Sequence, residues 1–140
     1  MAYVHTFKVL IREAHLDTFG HVNNATYLQL FEEARWELIT SRGFGLDKIR
    51  ETQTGPVILE ARVKFQRELG NRETITIESE LLTYTGKIAE MRQTVKREDG
   101  SVACDAVFVF GLMDLEKRRL MSPSPEWAHA VALDDRTERG

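Results

Sequence analysis

Cysteine is all but missing: Cys104 is the only one, so no intramolecular disulfide can form. A chain without a disulfide frame fits the reducing cytoplasm. Proline occurs three times and glycine nine times in 140 residues, too sparsely for a collagen-like or low-complexity chain. No apolar run approaches the roughly 20 residues that span a bilayer, and Met1-Ala2-Tyr3-Val4-His5 lacks the basic-then-apolar order of a secretory leader. Neither sign of charge dominates, since 19 basic and 22 acidic residues leave a net charge of -3. Such a balance supplies no field to gather nucleic acid or an anionic membrane. What is left is an ordinary soluble protein, expected in the cytoplasm, with the length of one domain and no membrane insertion.

The pattern along the chain predicts an α+β fold. Residues 5 to 11 alternate polar and apolar side chains and read as a first strand. The polar stretch Arg12 to Asn24 breaks that pattern. From Tyr27 to Ile39 the apolar positions take helical spacing, giving the one long helix, with Asn23 or Asn24 suited to cap it and Gly43 just past its end. Four strands follow: Val57 to Gln66, Glu73 to Thr83, Lys87 to Arg97 and Ser101 to Leu115. Thr85-Gly86 and Asp99-Gly100 serve as hairpin turns. The order is β-α-β-β-β-β, one antiparallel sheet with a single helix to cover its apolar face. Ser122-Pro123-Ser124-Pro125 ends the last strand, Glu126 to Ala132 suits a helical turn, and 133–140 is a polar tail that we expect to fray beyond a domain of residues 1–132.

Reactive side chains crowd between the first strand and the helix: His15, Asp17, His21, Asn23 and Asn24. The unpaired N–H groups at a helix start carry partial positive charge and can hold the oxyanion that an ester or thioester carbonyl develops under attack. Asp17 beside them would complete a hydrolase, either as general base toward water or as a nucleophile forming a transient anhydride. A turn followed by a helix cap also calls for these residue types. His15, Asp17 and His21 have the right donors for zinc or iron, but His5 and His129 are distant in sequence and no second ligand cluster accompanies them, so no metal is expected.

The run Asp17-Thr18-Phe19-Gly20-His21-Val22-Asn23-Asn24-Ala25-Thr26-Tyr27, followed by Glu33-Ala34-Arg35, resembles the signature of the 4-hydroxybenzoyl-CoA thioesterase-like hotdog family, and in particular its bacterial long-chain acyl-CoA thioesterases. The likeness extends from about residue 3 to 120. It implies a hotdog fold, with the sheet wrapped around the helix, and hydrolysis of a fatty or aryl acyl-CoA to free acid and CoA without a cofactor. It implies Asp17 as the catalytic carboxylate and the backbone N–H of Asn24 as an oxyanion donor. His21, Asn23 and Tyr27 would shape the site loop. Two protomers would join sheets edge to edge, with the site at the junction of a homodimer or homotetramer.

One departure is the absence of the proline that relatives carry soon after the aromatic ending the second strand, where this chain reads Phe65-Gln66-Arg67-Glu68-Leu69. The CoA phosphates call for cations at the rim, for which Lys64, Arg67, Arg72 and Lys87 are candidates. An apolar acyl slot would draw on Leu28, Phe31 and Trp36. Glu60 and Arg62 are expected on one face of the second strand, and Glu33 on the helix surface. Two other readings stay open: hydrolysis of an acyl group carried on acyl carrier protein, and a non-catalytic acyl-thioester or lipid binder.

Overall fold

The alternation in Thr74-Ile75-Thr76-Ile77 becomes a strand with every second side chain buried: Ile75, Ile77, Ser79 and Leu81 all turn inward. The computed structural model describes residues 3–134. Strands β1 (His5–Leu10), β2 (Thr54–Phe65), β3 (Thr74–Thr85), β4 (Ile88–Arg97) and β5 (Val102–Asp114) form one antiparallel sheet in the order β1-β3-β4-β5-β2. The two hairpin turns close where expected, with Gly86 and Gly100 at φ 62° and 86° supplying the left-handed conformation. A three-residue strand, β6 (Arg119–Met121), pairs with the end of β5.

Helix α1 (Asn24–Ser41) lies across the concave face of this sheet and buries Tyr27, Leu30, Phe31, Ala34, Leu38 and Ile39. This is the hotdog arrangement that the resemblance implied. Leu28 and Trp36, expected on the apolar side, are about two-fifths exposed, at 42% and 37%. They flank the buried stripe because that stripe is filled at 3.6-residue spacing by the other six. Helices α2 (Leu46–Thr52) and α3 (Pro125–Ala130) are additions to the expected order, the latter where a helical turn over Glu126 to Ala132 was foreseen. Helix α2 escapes sequence reading because its seven residues bury no side chain fully and leave Leu46 in solvent.

The core divides in two along α1. One cluster gathers Ile11, Val22, Tyr27, Phe31, Leu69 and Ile77 near the helix start, and the other gathers Leu38, Phe44, Met91, Phe110 and Trp127 near its end. Between them Gln93, wholly buried, donates through Nε2 to the Phe31 carbonyl and to Ser79 Oγ (both 3.0 Å). Its Oε1 accepts from Arg35 Nη1 at 3.0 Å. The Arg35 guanidinium lies over the Phe108 ring, 4.4 Å from its centroid. Burial lowers Arg35 to about 10, which leaves it charged at neutral pH.

Strand β2 begins at Thr54, earlier than the Val57 expected, because the Thr54↔Asp114 pair already belongs to the ladder. A register shift between Ile58 and Glu60 bulges it, and Arg62 stays within 3.6 Å of Glu60. At the polar tail Asp134 lies 3.6 Å from Arg42 and 2.7 Å from His129; residues 135–140 lie outside those described. Among the described residues no helix is long and apolar enough to cross a membrane.

Candidate active site

The loop between β1 and α1 opens with a single 3-10 turn, Glu13–His15, closed by His15 Nδ1 accepting the Arg12 N–H at 2.9 Å. A bridge between Leu16 and Val22 then pinches the chain into a tight loop around Asp17. The Asp17 N–H donates to the His21 carbonyl and the Gly20 N–H to the Asp17 carbonyl, each at 3.0 Å. Gly20 at φ 80° permits that reversal. Asp17 Oδ1 accepts from the N–H groups of Phe19 (2.9 Å) and His21 (3.4 Å). The half-buried carboxylate thus holds its own loop with one oxygen, while Oδ2 has no partner among the described residues.

The helix start carries the complementary group. Asn23 is the cap, its Oδ1 accepting the Thr26 N–H at 3.0 Å, and Asn24 Oδ1 takes the Ala25 N–H at the same distance. The Tyr27 N–H goes to the Asn23 carbonyl. Among the described residues the Asn24 N–H is the donor of the first turn left without a partner, and Asn24 is exposed. A free N–H at the positive end of an 18-residue helix suits a developing oxyanion.

A second wall is supplied by the segment after β2. The Val22 N–H donates to the Leu69 carbonyl at 3.1 Å, His21 Nε2 lies 3.2 Å from Glu68 Oε2, and the Tyr27 hydroxyl donates to the Arg67 carbonyl at 3.0 Å. Burial pushes the Tyr27 hydroxyl above its ordinary range, so it stays a donor. Between the walls is an open hollow of about 290 Å3 lined by Val22, Asn24, Tyr27, Phe65, Gln66, Arg67 and Glu68. Asp17 is not part of that lining. At the loop tip Phe19 stands 83% exposed.

A family model described as the thioesterase-like superfamily matches residues 11–131. The chain belongs to this superfamily. It is 31% identical over 117 residues to the long-chain acyl-CoA thioesterase FadM of Escherichia coli K12, spanning 82% of this chain and 87% of that protein. A solved structure of YbaW, a probable thioesterase from Escherichia coli, superposes with a TM-score of 0.79 at 26% identity over 91% of this chain and 96% of that one. The Staphylococcus aureus protein SAV2348, solved in complex with CoA, shares the fold at a TM-score of 0.87 and 18% identity, over 95% of this chain and 84% of that one.

In this thioesterase-like chain the four cations proposed for CoA are not equivalent. Arg67 lines the hollow beside Asn24, and Lys64 stands exposed on β2 opposite Asp105. Arg72 is already engaged, its Nε and Nη2 forking onto Glu13 at 3.0 and 2.8 Å. Lys87 sits at the far end of the sheet, around a hollow with Asp114, Lys117 and Arg119. Glu33 is exposed on α1. Among the described residues no three His, Cys, Asp or Glu side chains are grouped to hold a metal ion, and His15 and His21 are occupied as above.

Sequence reading missed Glu68, the partner of His21, since nothing local marks that pair. It also missed an apolar cavity of about 100 Å3 between the second half of α1, the start of β2 and α3. Glu32, Arg35, Trp36, Pro56 and Ile58 line it together with the buried Leu38, Ile39, Met91, Phe110, Trp127 and Val131. Of the three residues expected to line an acyl slot, Trp36 borders this cavity, Phe31 is wholly core and Leu28 faces outward.

Proposed function

We propose that the protein is an acyl-CoA thioesterase in which Asp17 drives attack on the thioester carbonyl and the Asn24 N–H takes the developing oxyanion. The observation that carries this reading is two groups in and after the loop that enters one helix, a carboxylate oxygen and a backbone donor, neither with a partner among the described residues. Either route for Asp17, proton abstraction from water or direct attack, uses that free oxygen. His21, Asn23 and Tyr27 act through the loop: each spends its polar atoms on neighbours that fix the loop and the opposite wall. The likeness to FadM supports an acyl-CoA as substrate. A cytoplasmic setting is supported by Cys104 being the only cysteine, which leaves the chain no intramolecular disulfide to form.

The same reading makes the active unit a homodimer, on which a tetramer would build. Among the described residues strand β2 pairs on one side only; it is 12 residues long and exposes Ile58, Leu59 and Phe65. An edge of that length and apolarity is a template for a second strand. Antiparallel pairing of two β2 edges sets the Thr54 end of one beside the Phe65 end of the other. It carries Lys87, Lys117 and Arg119 of one protomer toward the partner's hollow, where the CoA phosphates need cations.

The test is release of CoA thiol from short, long-chain and aromatic acyl-CoAs by wild type and Asp17→Asn. Asparagine keeps an oxygen for the Phe19 and His21 N–H groups, so the loop stays closed while the base or nucleophile is lost. Wild-type turnover with a loss of about 100-fold or more in kcat for Asp17→Asn is expected. Retention of more than a tenth of kcat would remove Asp17 from the chemistry.

A further inference from the structure

The wall facing the Asp17 loop is anchored on both sides of one residue. The Arg67 N–H donates to the Ala103 carbonyl at 3.0 Å, the Arg67 carbonyl accepts the Tyr27 hydroxyl at 3.0 Å, and the Leu69 carbonyl accepts the Val22 N–H at 3.1 Å. Glu68 sits between those fixed points, in the stretch Phe65-Gln66-Arg67-Glu68-Leu69 that departs from the relatives' pattern. Its carboxylate meets His21 Nε2 at 3.2 Å, and either the imidazolium or the neutral ring protonated on Nε2 donates to it. The His21 and Glu68 side chains are 41% and 76% exposed, so the contact adds little to global stability. What it fixes is local.

Asp17 depends on His21 for its place. The His21 carbonyl accepts the Asp17 N–H at 3.0 Å, and the His21 N–H reaches Asp17 Oδ1 at 3.4 Å, a long contact. Thr18, Phe19 and Gly20 between them are exposed. Among the described residues His21 supplies the one side chain of residues 17–21 with a hydrogen-bonding or ionic partner beyond the loop. A reacting group displaced by about 1 Å loses on the order of 100-fold in rate, so a tie from a fixed wall to this loop acts on the chemistry without touching it. We propose that Glu68 is a positioning residue that holds the Asp17 carboxylate in line through His21. The inference rests on the thioesterase reading above and adds a residue that lies outside the loop bearing Asp17.

The experiment compares full-length wild type, Glu68→Ala, Glu68→Gln, His21→Ala and the double variant Glu68→Ala with His21→Ala. Three readouts are taken: the melting midpoint, amide hydrogen exchange over residues 17–22, and kcat and KM for an acyl-CoA that wild type hydrolyses. Glu68→Ala should melt within about 4 °C of wild type and exchange its loop amides at least about fivefold faster. Its kcat should fall about tenfold with KM within about threefold. Glu68→Gln keeps an acceptor for the His21 Nε2–H and should retain more than about a third of kcat. Once His21→Ala is present, removing Glu68 should cost nothing further in kcat, because the two side chains act as one unit. Unchanged loop exchange or unchanged kcat in Glu68→Ala would each overturn the inference. So would a full additional loss in the double variant, or a change confined to KM, which marks contact with the substrate instead. Any of these leaves hydrolysis by Asp17 standing. No hydrolysis by wild type would remove the thioesterase reading and the role of Glu68 in the reaction together.

Discussion

Replacing Gln93 by leucine should unseat α1 more than any other single change to a polar side chain in the core. Gln93 gives the Arg35 guanidinium its only hydrogen bond from the described residues and supplies a donor to Ser79 and to the Phe31 carbonyl. A hydrogen bond to a charged group contributes about 1.5–3 kcal/mol net, and leaving Ser79 unsatisfied adds about 1–3 kcal/mol. The Phe31 carbonyl keeps its place in the helix ladder and loses little. Burying a leucine side chain instead returns about 1–2 kcal/mol. The balance is a loss of about 2–4 kcal/mol, a large share of the roughly 5–15 kcal/mol that holds a domain folded. In this size range it lowers the melting midpoint by about 6–12 °C.

Urea unfolding followed by the fluorescence of the buried Trp127 reads the change directly. If the orphaned cation is the main cost, removing it as well should recover part of the loss, so Gln93→Leu with Arg35→Leu is expected to be at least as stable as Gln93→Leu alone. A Gln93→Leu protein within about 1 kcal/mol of wild type would refute the argument, because that is the scale of an ordinary exposed contact. Strictly additive losses in the double variant would refute it too.

Two more outcomes follow from the same contacts. Tyr27→Phe deletes the 3.0 Å bond to the Arg67 carbonyl and should cost about 1 kcal/mol in urea unfolding; kcat should fall less than about tenfold, with the pH-rate profile unmoved, since this hydroxyl positions a wall and transfers no proton. Burial pushes the Asp105 carboxyl up, but hydrogen bonds from Arg92 and Thr94 outweigh it and leave its value below the ordinary 3.8. A depressed carboxyl gives stability that is complete above the unfolded value and is lost as pH falls through the folded one. Asp105→Asn should therefore flatten the stability curve below about pH 4 and leave its shape at neutral pH unchanged; an unaltered acid limb would dissociate the Arg92 pair from stability.

Local chemistry explains why so much of the fold is legible in the residues. Alternation in β3 reports one buried face, Asp99-Gly100 reports a reversal only glycine makes cheaply, and Asn23 reports a helix start because its side chain accepts the Thr26 N–H three residues on. Helix α2 is invisible by the same logic, as is β6: seven and three residues with little to bury acquire their conformation from what they pack against. The grouping of Asp17, His21, Asn23 and Asn24 is visible as spacing, but nothing in spacing says which polar atoms are already spent.

Sequence alone determined that a long helix follows the first strand, that four long strands follow that helix, and that a carboxylate stands at the helix entrance, because each depends on neighbours a few residues apart. Only the tertiary structure decided that Asp17 Oδ2 and the Asn24 N–H are left unfilled among the described residues, that His21 faces Glu68, and that Arg35 reaches Gln93. The same holds for the apolar cavity, whose walls come from α1, β2, β4, β5 and α3. The His21 and Arg35 contacts and the cavity join residues tens of positions apart, and such distances close only when the sheet folds around the helix.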